Sequence, residues 1–241
     1  MNGLSKRFGG VQALQDVTFA IESRTCTAVI GPNGAGKSTL IDVISGLQTH
    51  YEGEVEVLLE HPRRTGLMHL ACKGLSRTFQ DVRVVRQVSV KENVLLAESC
   101  PRQEHSYMAL FSRAELMSER SKQLLNEFEL DGRLAEDAGK LSYGQQKLLT
   151  LACALARNPR LLLLDEPLTG VNPILRHRAL SVIQSWSSNG GTVLFIEHDL
   201  DAVRALAQRV LVLAAGKLIY EGNPDSLSQS DEVKRAYLGT K

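Results

Sequence analysis

The residues with the most chemistry in them are Gly31, Pro32, Asn33, Gly34, Ala35, Gly36, Lys37 and Ser38, followed by Thr39. Glycine, four residues, glycine, lysine and a hydroxyl is the spacing of a phosphate-binding loop. In such a loop, backbone N–H groups at a helix start surround the anion. Gly34 and Gly36 permit close approach because they carry no Cβ. The Lys37 ammonium would reach the β- and γ-phosphates, and the Ser38 hydroxyl would ligate Mg2+. The flanks agree. Residues 25–30 are a short β-branched run that predicts a buried strand, and Leu40, Val43, Ile44 and Leu47 recur at helical spacing. Strand, glycine loop and helix in that order predict a site for a nucleoside triphosphate.

A second group of candidates is acidic. Four leucines at 161–164 run into Asp165 and Glu166. A continuous apolar run predicts a strand buried on both faces, as in a parallel sheet. Carboxylates at its end would stand in the crevice where such sheets bind ligands. There Asp165 can hold Mg2+ through water, and Glu166 can polarise an attacking water. Residues 190–196 form another buried run, with Glu197, His198 and Asp199 at its end. A lone histidine usually reads as structural or capping. His198 instead falls at the same end of a predicted parallel strand as Asp165. Leu141, Ser142, Tyr143, Gly144 and Gln145 open a helix expected over 146–157, ended by Asn158 and Pro159. Ser142 is a natural cap and Gly144 leaves room beside the helix start, which predicts a second anion-binding terminus.

The elements that must position these residues are unevenly marked. Residues 1–22 open abruptly: 17–21 alternate like a strand, and Phe8, beside Gly9 and Gly10, reads as an aromatic packed at a turn. Residues 54–59 alternate as a half-buried strand, 61–66 read as a loop, 67–76 carry no pattern, and 75–80 predict a strand ending on Gln80. From about 82 to 157 the pattern turns helical. It holds an amphipathic piece at 90–97, a proline-containing loop at 100–106 and a longer helix at 112–130. Ser112 and Glu115 fit a capping box for that helix, with Leu116, Leu124 and Phe128 on its apolar face. Arg77, Arg83 and Arg86 cluster near the junction, either as a solvated basic face or as a docking surface. Trp186 reads as core, 210–220 as a hairpin and 223–241 as two short helices.

A chain of 241 residues holds one large α/β domain, or a core with a smaller inserted subdomain. The net charge of +1 argues against bulk binding of nucleic acid or anionic lipid. No apolar run approaches the ~20 residues of a membrane helix, and the first residues lack the apolar core of a secretory signal. A soluble, intracellular protein is expected. Cys26, Cys72, Cys100 and Cys153 are widely spaced, with no C-x-x-C pair, and read as ordinary buried thiols in a reducing compartment.

Taken in order, residues 31–39, Gln80, 141–145, 161–166, Val171-Asn172 and His198 resemble the ATPase subunits of ABC transporters, over almost the whole chain. The Leu-Ser-Tyr-Gly-Gln signature between the two nucleotide motifs is the most specific part. More narrowly, Lys6-Arg-Phe-Gly-Gly10, Ser76-Arg-Thr-Phe-Gln80, Ser142-Tyr-Gly-Gln-Gln146, Glu197-His-Asp199 and Arg235-Ala-Tyr-Leu-Gly239 resemble the ATPases of branched-chain and related amino-acid importers. The resemblance implies an α/β phosphate-loop NTPase fold with a mainly parallel core sheet, an N-terminal antiparallel β subdomain and an inserted α-helical subdomain. It implies one domain over 1–241, with the nucleotide-binding core at 1–81 and 158–241 and the helical signature subdomain at 82–157.

The same resemblance implies roles and partners. Phe8 would stack on adenine; Gly34, Gly36, Lys37, Ser38 and Thr39 would hold phosphates and metal. Gln80 would ligate Mg2+ and sense the membrane partner, and Asp165 would support the metal. Glu166 would be the general base and His198 would contact the γ-phosphate. Ser142, Gly144 and Gln145 would reach ATP in an opposite subunit, so that ATP joins two subunits head to tail. The implied partners are that second ATPase, identical or paralogous, integral membrane permeases and a periplasmic solute-binding protein, with no nucleic acid. The implied location is cytoplasmic, peripheral on the inner face of a bacterial cell membrane. Export of lipid or another solute, or a non-transport ATPase with a soluble partner, are the competing readings. No N-K-x-D motif supports a GTPase, and a kinase would not explain residues 141–145. The chain departs from the family pattern in several places. The strand before Phe8 is expected to be almost absent, which would leave the antiparallel edge incomplete. Residues 59–74 and 100–112 look atypical, Tyr143 replaces a glycine, and Asn172 replaces an aspartate.

Overall fold

The computed structural model describes residues 1–99 and 117–238. β1 (Asn2–Phe8) and β2 (Val11–Val17) form an N-terminal hairpin, β3 (Cys26–Ile30) enters the glycine loop, and the short β4 (Glu52–Glu54) returns to pair with β1. β5 (Leu75–Arg77), β6 (Leu161–Asp165), β7 (Thr192–Ile196), β8 (Arg209–Ala214) and β9 (Lys217–Gly222) complete two sheets. One is antiparallel, in the order β2-β1-β4. The other has the order β5-β6-β7-β3-β8-β9 and is parallel except for its edge strand β9. The helices are α1 (Lys37–Ile44), α2 (Pro62–Cys72), α3 (Val90–Glu98), α4 (Glu119–Glu127), α5 (Tyr143–Ala156), α6 (Pro173–Ser188), α7 (Leu200–Leu206) and α8 (Asp231–Leu238).

The two-residue period of the strands divides the interior into two cores. Ala28, Ile30, Leu162, Leu164, Val193, Phe195, Val210 and Val212 face α3, α4, α5, α6 and α7. Val29, Leu161, Leu163, Leu194, Ile196, Leu211 and Leu213 face α1 and the antiparallel sheet. Each such side chain is worth roughly 1.5–3 kcal/mol when buried. Both faces of the central runs are therefore almost wholly apolar, Thr27 being the exception in β3, and the leucine run at 161–164 reads as continuous rather than alternating. Trp186 packs in the helical-side core, and the Cys26 thiol is buried, its pKa pushed up to about 12 by that burial.

Several expectations change. A full strand does precede Phe8. In β1 only Leu4 and Lys6 are buried, so a single apolar residue marks the inward face and the alternation is nearly silent in sequence. The strand expected at 17–21 is displaced: β2 ends at Val17, and Phe19 is buried beyond it. The strand expected over 54–59 stops at Glu54. Val57 and Glu60 then close a tight turn, with Leu58 and Leu59 in left-handed conformations (φ 54° and 65°). Residues 61–66 are not a loop. Pro62 opens α2, as proline favours at a first helical turn, and Gly66 (φ 71°) kinks it.

The helix at 90–97 is α3, capped by Ser89 and Glu92 in a reciprocal box. The helix expected from 146 begins at Tyr143, because Ser142 is its cap. The proline-containing loop at 100–106, the capping box at Ser112, Cys100 and Leu116 lie outside the described residues. The longer helix expected over 112–130 is not continuous: Met117 and Ser118 are non-helical, and α4 starts afresh at Glu119 under a Ser118 cap and ends at Glu127, with Leu124 and Phe128 buried.

The antiparallel sheet bears directly on the glycine loop. Gly36 has φ 100°, and a Cβ built there would lie 2.4 Å from the Ala13 carbonyl oxygen of β2. At Gly34 (φ 78°) nothing lies within 4 Å of such an atom. Gly34→Ala is therefore expected to cost only the left-handed backbone penalty, roughly 1–2 kcal/mol. Gly36→Ala adds a backbone clash and should lose clearly more in a thermal or urea melt. Equal losses in the two variants would show that β2 does not crowd the loop.

Candidate active site

Parallel pairing brings the carboxyl ends of four adjacent strands together. Arg77 of β5 lies opposite Leu163, Asp165 of β6 opposite Ile196, and Ile196 of β7 opposite Val29 of β3. The chain leaves β3 as the glycine loop, β7 as Glu197-His198-Asp199, β6 as Glu166, and β5 toward Gln80. All four emerge from one edge of the sheet, where parallel α/β sheets bind ligands.

In the glycine loop, Gly31, Ala35 and Lys37 are buried and Pro32, Gly36 and Thr39 are half-buried, whereas Asn33, Gly34 and Ser38 are exposed. The Lys37 ammonium donates to the Gly31 carbonyl at 2.8 Å and the Pro32 carbonyl at 3.0 Å. Burial pushes its pKa down, opposed by the negative charges of Glu166 and Asp165. Gly36 is the helix cap with no side chain, so nothing competes for the first N–H groups of α1. The loop and the Lys37 ammonium together fit a polyphosphate.

Asp165 is 5% exposed, and burial pushes its pKa up. Its Oδ2 lies 3.7 Å from the Arg77 guanidinium, while its Oδ1 is buried without a hydrogen-bond partner among the described residues. A buried carboxylate oxygen left this way is costly unless a cation or a cation-bound water meets it. That orphaned atom, on the same edge as the Ser38 hydroxyl, fits a hydrated Mg2+. Arg77 itself departs from both expectations for the basic cluster. Its side chain is 4% exposed and ties Asp42 of α1 (2.7 Å) and the Oγ of Ser45 just after it (2.7 Å) to the end of β6. Arg83 stays on the surface, over the Phe79 ring at 3.5 Å, and Arg86 is exposed.

Glu166 adopts a left-handed conformation (φ 47°), a strain of order 1 kcal/mol for a non-glycine residue. Its N–H donates to the Ile196 carbonyl at 3.1 Å, and its Oε1 lies 2.6 Å from His198 Nε2. Glu197 is buried, with a pKa raised by that burial. It accepts from the backbone N–H groups of Leu168 and His198, both at 3.3 Å, and so braces the turn after β6 against the turn after β7. Asp199 caps α7 and pairs with Arg176.

The signature residues open α5. Ser142 Oγ accepts from Gln145 N–H at 3.3 Å, and Gln145 Oε1 accepts from Ser142 N–H at 3.0 Å, which fixes the start of α5. Leu141 is buried; Ser142 and Tyr143 are exposed; Gly144 lies beside Leu175 of α6. No hydrogen bond or ion pair among the described residues joins 141–145 to 31–39. Asn172 caps α6 through its Oδ1, which accepts from Leu175 N–H at 2.9 Å, a role an aspartate would fill equally. Phe8 is 44% exposed, with the Lys6 ammonium 4.5 Å from its ring centroid. Gln80 is exposed at the mouth of the edge.

Three contributors have roles that the motifs do not assign. Arg77 is an ionic brace between Asp42 and Asp165, and Glu197 braces two turns through backbone N–H groups. Lys147 is the third. It is 5% exposed on α5, and its ammonium donates to the Gln80 carbonyl at 2.6 Å and the Glu166 carbonyl at 3.3 Å. Burial pushes its pKa down, against the charges of Glu166, Glu197, Asp81 and Asp165. The available signal was a lysine just before the apolar run 148–149 of a helix.

Among the described residues no helix is long and apolar enough to cross a membrane. A family model described as ABC transporter matches residues 14–169. The high-affinity branched-chain amino acid transport ATP-binding protein BraF of Pseudomonas aeruginosa is 33% identical, over 99% of this chain and 96% of that protein. A crystal structure of an ABC-transporter ATP-binding cassette in its ADP conformation is 31% identical, with a TM-score of 0.82 over 99% of this chain and 97% of the other. A dimeric bacterial ABC-transporter cassette is 25% identical, with a TM-score of 0.78 over 92% and 97%. The edge built by β5, β6, β7 and β3 thus has counterparts in proteins matched end to end, and the chain belongs to the ABC transporter family as one of its ATPase cassettes.

Proposed function

We propose that this cassette hydrolyses Mg2+-ATP at a seam between two subunits and that the cycle drives import of branched-chain or related amino acids through separate membrane permeases. The observation that carries the reading is the convergence on one sheet edge of a phosphate loop, an orphaned Asp165 oxygen and a Glu166–His198 contact, with no bond among the described residues from the signature helix start to that loop.

Each residue then has a task. Residues 31–39 wrap the α- and β-phosphates with backbone N–H groups, and Lys37 exchanges its loop carbonyls for phosphate oxygens. Phe8 offers an exposed ring face to adenine, and Thr39 supports the phosphates from the first turn of α1. Ser38, Gln80 and Asp165 would hold Mg2+, which when bound neutralises developing charge on the phosphates. Glu166 accepts a proton from the attacking water, and His198 holds the Glu166 carboxylate at 2.6 Å and stands toward the γ-phosphate. The γ-phosphate needs donors on every side. The missing side comes from Leu141, Ser142, Tyr143, Gly144 and Gln145 at the start of α5 in a second cassette, this chain or a paralogue. ATP then bridges two subunits, and hydrolysis removes the bridge.

Residues 82–157 are the lever of this scheme, receiving a permease segment near Gln80 and the exposed Val85. Such a subunit works at the cytoplasmic face of the membrane, with a periplasmic solute-binding protein delivering the solute. The similarity to BraF supports the choice of amino acids. Co-expression with its cognate permeases should give ATP-dependent leucine uptake into vesicles, and uptake independent of this subunit would refute that choice.

Glu166→Gln is expected to keep ATP affinity, lose turnover by a factor of about 10² or more, and accumulate as an ATP-bound dimer on size exclusion. Turnover at the wild-type rate removes Glu166 from the role of base. Ser142→Arg and Lys37→Ala should each be inactive alone, yet regain activity when mixed, because one hybrid seam then has both a sound loop and a sound signature. No recovery on mixing would refute the shared site.

A further inference from the structure

The start of α5 is proposed above to act on a neighbour's nucleotide, yet the same helix also reaches into its own chain. Lys147 lies five residues after the Ser142 cap, on the buried side of α5, and its ammonium meets two backbone carbonyls from separate segments. One is Gln80, at 2.6 Å, in the loop that follows β5 toward the helical region. The other is Glu166, at 3.3 Å, the residue held in a left-handed conformation beside His198. Backbone carbonyls cannot be moved by rotamer changes, so one cation bonded to both sets the separation of the two segments and the height of α5 above them. An ammonium is suited to this: it is a compact point charge with three donors on a flexible stem. The Tyr143 ring, 5.8 Å away on the preceding turn of α5, covers the same cation.

We propose that Lys147 is a positioning residue that couples the seating of the signature helix to the orientation of the Glu166 carboxylate and the Gln80 loop. When α5 is seated, Glu166 is held in its strained backbone conformation from two sides, by the Ile196 carbonyl accepting its N–H and by Lys147 donating to its carbonyl. When α5 rotates away, the second restraint goes with it, and the base and the Gln80 loop relax together. Hydrolysis is thereby confined to the arrangement in which the signature helix of the same subunit is also presented to the neighbour. The inference rests on the assignment of Glu166 as base.

The test compares purified full-length Lys147→Met, which keeps the stem and removes the donors, with Lys147→Arg and wild type. Misplacing a catalytic group by about 1 Å costs up to about 10²-fold, so kcat should fall at least about tenfold in Lys147→Met, with ATP affinity changed less than about threefold. Lys147→Arg should recover much of the loss. Hydrogen exchange should quicken at residues 79–82 and 166–168 in Lys147→Met but not in β3. Wild-type kcat in Lys147→Met beside an inactive Glu166→Gln overturns the role of Lys147 alone. A parallel fall of affinity and melting temperature with no rescue by arginine also overturns it, by showing a merely structural lysine. Full turnover in Glu166→Gln instead sinks the base assignment on which the coupling stands. If Lys147→Met does not fold, Lys147→Gln takes its place, and the order Lys, Arg, Gln in kcat at constant affinity is required.

Discussion

The register of four parallel strands is the constraint from which the rest follows. Because β5, β6, β7 and β3 end together, segments separated by more than a hundred residues leave the sheet within reach of one another. A parallel sheet of this kind must be buried on both faces, so it needs two independent cores, and the chain supplies them by alternation along each strand. The polar ends of the strands are the one place where charge can gather without interrupting either core. Both the fold and the location of the chemistry come from that single arrangement.

Charge at the edge is concentrated and matched. Asp165 and Glu197 are buried carboxylates whose pKa values burial raises, and Lys37 and Lys147 are buried ammoniums whose pKa values burial lowers. Opposite charges offset part of each penalty, and backbone groups take up most of the remaining hydrogen-bonding capacity. The lysines are bonded to carbonyls and Glu197 to N–H groups, so the cluster also locks the loops in place. Asp165 Oδ1, like Arg77 Nε, has no hydrogen-bond partner among the described residues. Its position beside the phosphate loop makes that oxygen the strongest local argument for a divalent cation.

Helix starts are used in two ways. Gly36 leaves the first turn of α1 open toward an anion, whereas Ser142 and Gln145 close a capping box at the start of α5. The box orients the α5 terminus without filling it from within the chain, consistent with a ligand arriving from outside. Lys147 then ties that helix back to the chain's own edge, and in the proposed cycle it makes one rigid element serve two nucleotides.

The motif residues were legible because their spacing is local. A phosphate loop, a four-leucine strand ending in two carboxylates and a serine-capped helix are each written within ten residues, and short-range sterics and burial decide them. The same holds for β8 and β9, for α3 and for the burial of Trp186. What sequence could not show depends on partners far along the chain. β1, though the central strand of its sheet, buries only one apolar residue, Leu4, and Lys6 fills the next inward position, so its alternation is nearly silent in sequence. The turn at 57–60 and the helix opened by Pro62 replaced an expected strand and loop, because tertiary packing overrode a weak alternation. Arg77 looked like surface charge until folding set it between Asp42 and Asp165. Lys147 looked like an ordinary helical lysine until two distant carbonyls met its ammonium. Sequence determined which groups could do chemistry; only the folded chain decided which of them face one another, because hydrogen bonds and ion pairs depend on distances that contiguous residues do not encode.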